Sequence, residues 1–366
     1  MLLNKSEKNY YILFFCLAVG MIAFYIDPIQ ELDLYRYFKQ MDYMSQFNFM
    51  EFINIYAFKP ELLSSLVFFF ISKIGHYGLL SMIATTVSYY LIIKCILDYA
   101  NKKNMRLIEK VIILLFVLSV MIFTHFATRI RNNVAVVICA YAFYREYVKG
   151  KNNLLTMFLY ILPCFIHTSM LIGVIIRLLL FLKEKYLRLV IIIVMLILVV
   201  GTMYITALGD MISNFAMFSS YDTKISVYIL NGTEYEPTNV KVKFIFMAFI
   251  LLNTIYMMKK YNYKKDNPNY TKMILAIDLI VISLVQYNDV FLRFFYLAFF
   301  VNIKLFIDTI KLLKLKEEKI IYYAIIILFT LAHLKLQKSS MADLRFPEFA
   351  DNIIVSTFEF FMKLIT

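Results

Sequence analysis

Charge is scarce in this sequence. Only 17% of its 366 residues are charged, while 62% are hydrophobic. Soluble domains carry about a quarter charged residues, so a chain of soluble domains is excluded. Cysteine is also scarce. The four present, Cys16, Cys95, Cys139 and Cys164, each lie in an apolar stretch without CxxC spacing. That excludes a disulfide framework and a thiolate zinc site, and leaves apolar packing as their role. Histidine is limited to four residues, none paired at metal-ligand spacing, so no metal is expected. P-loop, GxGxxG, GxSxG and HExxH motifs are absent. Their absence removes soluble nucleotide-driven and zinc-peptidase mechanisms. There is no repeat and no low-complexity tract.

What is present is a succession of apolar runs, at about 10–26, 61–74, 79–97, 109–126, 132–148, 153–182, 187–208, 242–258, 272–287, 291–310 and 319–336. A membrane span needs about 20 apolar residues. The fold expected is therefore an all-α integral membrane protein, a polytopic bundle of about 10–12 transmembrane or re-entrant helices. Residues 1–366 form one transmembrane domain in this reading. Met1 to Ile26 starts basic and runs apolar, like a signal peptide. Phe24-Tyr25-Ile26-Asp27 is a poor cleavage site, so a retained first span is expected. Two polar stretches, 27–60 and 209–241, interrupt the pattern. The end, 337–366, is expected to be a polar stretch followed by an amphipathic helix from Phe349 to Ile365.

The net charge of +13 has a membrane explanation rather than a nucleic-acid one. The lysines gather between runs, at Lys102, Lys103 and Lys110, at Lys149 and Lys151, at Lys259, Lys260, Lys264 and Lys265, and at Lys311, Lys314 and Lys316. Positive residues mark cytoplasmic loops. With Lys5 and Lys8 also inside, 27–60 and 209–241 are extracytoplasmic. Parity then leaves 61–74 as a re-entrant or interfacial helix. It also makes 153–182 a pair of short helices, interrupted at Pro163, with His167 near the turn. Non-helical backbone at such depth must be buried in protein or line a wet cavity.

Several polar residues fall on the outer side against that charge rule. Arg129-Ile130-Arg131-Asn132-Asn133 opens a span. Snorkelling to headgroups would explain the arginines. Anion binding would too, since guanidinium grips phosphate oxygens with paired hydrogen bonds and a helix start favours negative charge. Asp289 and Arg293 stand four residues apart, at intrahelical ion-pair spacing. Arg177 reads as a snorkelling residue. His167 is either a structural histidine or a general base. Asp33-Leu34-Tyr35-Arg36-Tyr37, beyond the first span, is compatible with an ordinary interface or with sugar binding by hydroxyls and rings.

Taken together and in order, these motifs resemble the EpsG and Wzy-type polysaccharide polymerases. The features are Asp33 to Tyr37, Arg131-Asn132-Asn133-Val134-Ala135, His167-Thr168-Ser169 and Arg293-Phe294-Phe295-Tyr296. They run from about residue 25 to 310. The sequence departs from the family pattern in having Asn132 where Gln is usual, and Lys59-Pro60-Glu61 where Glu-Pro is common.

The resemblance implies a GT-C-like membrane glycosyltransferase, independent of metal and of cofactors, in the bacterial cytoplasmic membrane with an outward-facing site. Its substrates would be glycans on undecaprenyl pyrophosphate, both as donor and as acceptor. An acceptor hydroxyl would attack the donor's anomeric carbon and the lipid pyrophosphate would leave. A flippase and a chain-length regulator are the implied partners. The expected catalytic residues are His167, Arg131, Arg293 and Asp289. Arg129, Asn132, Asp33, Arg36, Tyr37, Tyr296 and Glu61 are expected at the substrate or pyrophosphate. A flippase for lipid-linked oligosaccharide and a membrane O-acyltransferase are the competing classes. The first would spread charge through the bundle, and the second would leave the outer arginines without a task.

Overall fold

The computed structural model describes residues 5–30, 32–59, 61–201, 237–285, 287–341 and 344. The expected loop at 209–241 lies outside the described residues up to position 236, and the helix expected from Phe349 to Ile365 lies wholly outside them. The architecture is all-α: α1 (Lys5–Phe24), α2 (Asp33–Ser45), α3 (Phe49–Tyr56), α4 (Leu62–Ile74), α5 (Gly78–Lys102), α6 (Leu107–Val120), α7 (Phe123–Thr128), α8 (Ile130–Phe143), α9 (Leu154–Ile166), α10 (Leu171–Leu179), α11 (Glu184–Gly201), α12 (Pro237–Tyr261), α13 (Tyr263–Asp266), α14 (Pro268–Ser283), α15 (Asn288–Val301), α16 (Ile303–Leu312) and α17 (Lys316–Met341). Three of these are long and apolar enough to cross a bilayer singly, within Gly78–Lys102, Val240–Tyr261 and Lys316–Met341. The pair Val290–Val301 and Ile303–Leu312 makes a fourth if counted as one span bent by 43°. Several other apolar runs are shorter or broken helices. The chain is a multi-pass membrane protein whose helices are interrupted more often than the hydropathy pattern predicts.

The chain divides into two compact units. The first comprises residues 1–138, 161–169 and 325–366. Its spine is α1 against α5. Gly20 permits the approach: a Cβ there would meet Thr86 Oγ1 at 2.2 Å and the Met82 carbonyl at 2.8 Å. Thr86 in turn donates to the Cys16 carbonyl at 3.3 Å. The segment 27–60, expected as a loop, is largely helical. In α2, Leu34, Tyr37, Met41 and Met44 recur at helical spacing and are buried, so one face packs inward while Arg36 and Lys39 face out. Asn48 and Glu51 exchange capping bonds of 3.0 and 2.8 Å that start α3. Tyr37 meets Phe68 with ring centroids 5.2 Å apart, and Phe52 meets Phe69 at 4.6 Å, so α2 and α3 are both seated on α4.

The second unit comprises residues 139–160 and 170–324. Here the buried Lys304 is matched. Lys304 donates to Asp308 (2.6 Å), the Tyr263 hydroxyl (2.7 Å) and Asn267 Oδ1 (2.9 Å). Such full pairing is what a cation at low dielectric requires. The bend between α15 and α16 falls at Asn302. Its side-chain amide donates to the Ala298 carbonyl at 2.9 Å and to buried Asp278 at 2.7 Å. A side chain inserted into the backbone ladder is a sufficient cause of the kink, within the apolar run read at 291–310.

Two further expectations are corrected. Pro163 does not interrupt its helix. It lies inside α9, which runs on to Ile166, because a proline removes one donor only and neighbouring helices tolerate that in membranes. The break comes at His167. Arg177 does not snorkel. It is buried, and it donates to both carboxylate oxygens of Glu146 at 3.0 and 3.2 Å. Its guanidinium also lies over the rings of Tyr160 (5.2 Å) and Phe181 (5.1 Å). Packing of this kind explains a charge at depth without solvent.

Candidate active site

Three interruptions of helical backbone meet in the first unit, and each presents a polar side chain. The first precedes α4. Glu61 there has φ 66° and ψ 35°, a left-handed conformation that is uncommon for a non-glycine residue. Its carbonyl is held by the Ser64 hydroxyl at 2.8 Å and the Ser65 amide at 3.2 Å. Strain of this type persists where the surroundings enforce it, and it is common at functional sites.

The second lies between α7 and α8. Arg129 ends α7, and α8 restarts one residue later at Ile130. Asn133 splices the junction, donating from its side chain to the His125 carbonyl at 2.6 Å and from its backbone to the Arg129 carbonyl at 3.2 Å. Arg131 therefore sits in the first turn of α8. The third is the gap between α9 and α10, where Thr168–Met170 form a single 3-10 turn. His167 stands at its entrance, with its amide donating to the Pro163 carbonyl at 2.8 Å.

These three places are joined through Glu61. Arg131 Nη1 donates to Glu61 Oε2 at 2.6 Å. Glu61 Oε1 accepts from the Thr168 amide at 3.3 Å and its hydroxyl at 3.5 Å. On the other side, the Arg131 guanidinium lies 4.8 Å from the centroid of the Tyr37 ring. Burial pushes the Tyr37 phenol up from its ordinary value, and the Arg131 charge opposes this only in part, so Tyr37 is neutral.

The Arg131 side chain keeps 28% of its surface exposed, and Glu61 keeps 13%. Arg131 Nε and Asn132 Oδ1 are buried without a hydrogen-bond partner. Unpaired buried polar atoms are rare, and here they adjoin a partly exposed cation at a helix start. A positive group of fixed direction, an unpaired N–H and the partial positive charge of a helix terminus suit an anion. Glu61 is itself an anion. It serves as the resident counter-ion of Arg131 rather than as a group that would grip pyrophosphate directly.

The remaining expected residues divide between the units. Asp33 and Arg36 form an ion pair within the first turn of α2, one turn before Tyr37. Arg293 and Tyr296 lie on α15 in the second unit, and the Asp289 side chain lies outside what is described. Tyr296 is buried, and its hydroxyl accepts from Lys243 at 3.5 Å. Lys243 is fully buried over the rings of Phe295 (5.2 Å) and Tyr296 (4.7 Å). Sequence reasoning passed over this lysine, although a lone cation inside the run at 242–258 was its signal. It also passed over Asn133 as a splice. The coupling of Glu61 to Arg131 spans 70 residues and had no local signature.

A family model described as "EpsG family" matches residues 8–350. No curated protein and no solved structure matches the chain.

Proposed function

We propose, since the chain belongs to the EpsG family, that it joins lipid-linked oligosaccharide repeat units into a surface polysaccharide. The donor is a glycan on undecaprenyl pyrophosphate, and the acceptor is a repeat unit on the same carrier. The acceptor hydroxyl attacks the donor's anomeric carbon on the outer face of the cytoplasmic membrane. The lipid pyrophosphate departs with the bonding electrons.

The observation that supports this reading best is Arg131. It is a fixed, partly exposed guanidinium in the first turn of a helix, with an unpaired Nε. Negative charge develops on the leaving pyrophosphate, and preorganised donors aimed at that charge lower the barrier. Arg129, two residues earlier, is the further cation assigned to substrate phosphates. The Asp33–Arg36 pair on α2 is assigned to sugar recognition through charge-assisted hydrogen bonds, while Tyr37, buried between Phe68 and Arg131, holds the guanidinium in place.

The test is binding of the leaving group. Purified protein in lipid nanodiscs is expected to bind undecaprenyl pyrophosphate, and Arg131→Ala is expected to weaken that binding by about tenfold or more, as for loss of a charge-assisted hydrogen bond. Equal affinity in the two proteins would remove Arg131 from the pyrophosphate and this reading with it.

A further inference from the structure

The hydrogen bonds around His167 assign its tautomer. The backbone amide of Ser169 donates to His167 Nδ1 at 3.3 Å, and the Ser169 hydroxyl lies 2.6 Å from the same nitrogen. A backbone N–H can only donate, so Nδ1 accepts. In the neutral ring the proton then resides on Nε2, since the two nitrogens take opposite roles. Nε2–H is a donor. It has no lone pair with which to take a proton from a sugar hydroxyl.

The carboxylate of this site is Glu61. Its carboxylate has room for about four hydrogen bonds. It accepts from Arg131 at 2.6 Å and from the amide and hydroxyl of Thr168 at 3.3 and 3.5 Å. It remains partly exposed beside the His167 break.

We infer that Glu61 is the proton acceptor of the glycosyl transfer and that His167 acts as a hydrogen-bond donor through Nε2. The inference rests on the polymerase reading above. In the step, the acceptor O–H bond breaks and its proton passes to Glu61. The oxygen bonds to the anomeric carbon, and the bond from that carbon to the pyrophosphate oxygen breaks with its electron pair leaving on the pyrophosphate. Neutralising Glu61 removes the counter-anion of Arg131. The full guanidinium charge then faces the new charge on the leaving group at the moment it forms. The pair thus couples deprotonation of the nucleophile to stabilisation of the leaving group. Glu61 later releases its proton to water.

Two variants test this in nanodiscs, with lipid-linked repeat units as substrate and undecaprenyl pyrophosphate as a binding probe. Glu61→Gln is expected to lose about a hundredfold or more in turnover, within the range of general-base loss, yet to bind the probe at least as tightly as wild type. Glutamine at position 167 places an amide N–H near the site of Nε2–H. His167→Gln is therefore expected to lose less than about tenfold, whereas His167→Ala loses considerably more. Turnover near wild type in Glu61→Gln, or loss of probe binding there, overturns the assignment of Glu61. His167→Gln as inactive as His167→Ala overturns the donor role. Wild-type protein that binds the probe but never extends a glycan defeats the polymerase reading, and this inference with it.

Discussion

Arg131→Lys is expected to lose about a hundredfold or more of polymer-forming turnover, the range for removal of one preorganised transition-state donor, while the protein stays folded. The geometry explains why a retained positive charge is insufficient. Arg131 donates from Nη1 to Glu61, sits over the Tyr37 ring at 4.8 Å and keeps Nε unpaired. A planar fork can do all three at once. A lysine ammonium is a compact point charge that can hold Glu61 or reach a phosphate, and it does not stack on the ring in the same way. Turnover of purified Arg131→Lys on lipid-linked repeat units, normalised to folded protein, checks this. Activity within about tenfold of wild type would mean that charge alone is used and that paired donation is not.

The second large effect is on stability. Arg177→Leu is expected to destabilise the second unit by about 3–5 kcal/mol, because it leaves the Glu146 carboxylate buried without its partner. Both side chains are about nine-tenths buried, at 10% and 11% exposure, so solvent cannot replace the lost bonds. Replacing both, Arg177→Leu with Glu146→Leu, is expected to recover most of the loss. An apolar pair of similar volume removes both desolvation costs together. Thermal unfolding of the single and double variants in detergent reads the two effects. A double variant as unstable as the single one would show that the ion pair does more than satisfy itself. Neither residue belongs to the first unit, so activity per folded molecule is expected to change little.

The contrast between these residues shows what a sequence displays and what it conceals. Hydropathy identified the helices because lipid-facing and core-facing residues are both apolar, and α5, α12 and α17 stand where the runs did. It showed only some of the places where helices break. The gap around Arg129 and the turn at His167 were expected, whereas Pro163 signals a break and makes none, and Asn302 signals nothing and sits at one. The cause is tertiary: a side chain such as Asn133 or Asn302 takes over backbone bonds only when the neighbouring turn is placed to accept it. The site was legible in part for the same reason. Arg131, Tyr37 and His167 stood out because each is polar at an apolar boundary. Glu61 stood beside them in the sequence reading, but its task as counter-ion depends on a contact between residues 70 positions apart. Arg177 was misread because its partner, Glu146, is 31 residues away. Charge at membrane depth predicts a partner, and only the fold names it.

The central claim is that this protein joins repeat units on the outer leaflet using Arg131. Glycan length on the lipid carrier, measured in cells lacking the protein and complemented with wild type or Arg131→Ala, tests it most directly. Single repeat units are expected to accumulate on the outer leaflet, with long chains restored by wild type and not by Arg131→Ala. Repeat units retained on the inner leaflet would make the protein a flippase. Unchanged chain length with a lost acyl decoration would make it an acyltransferase. Either result would contradict the account.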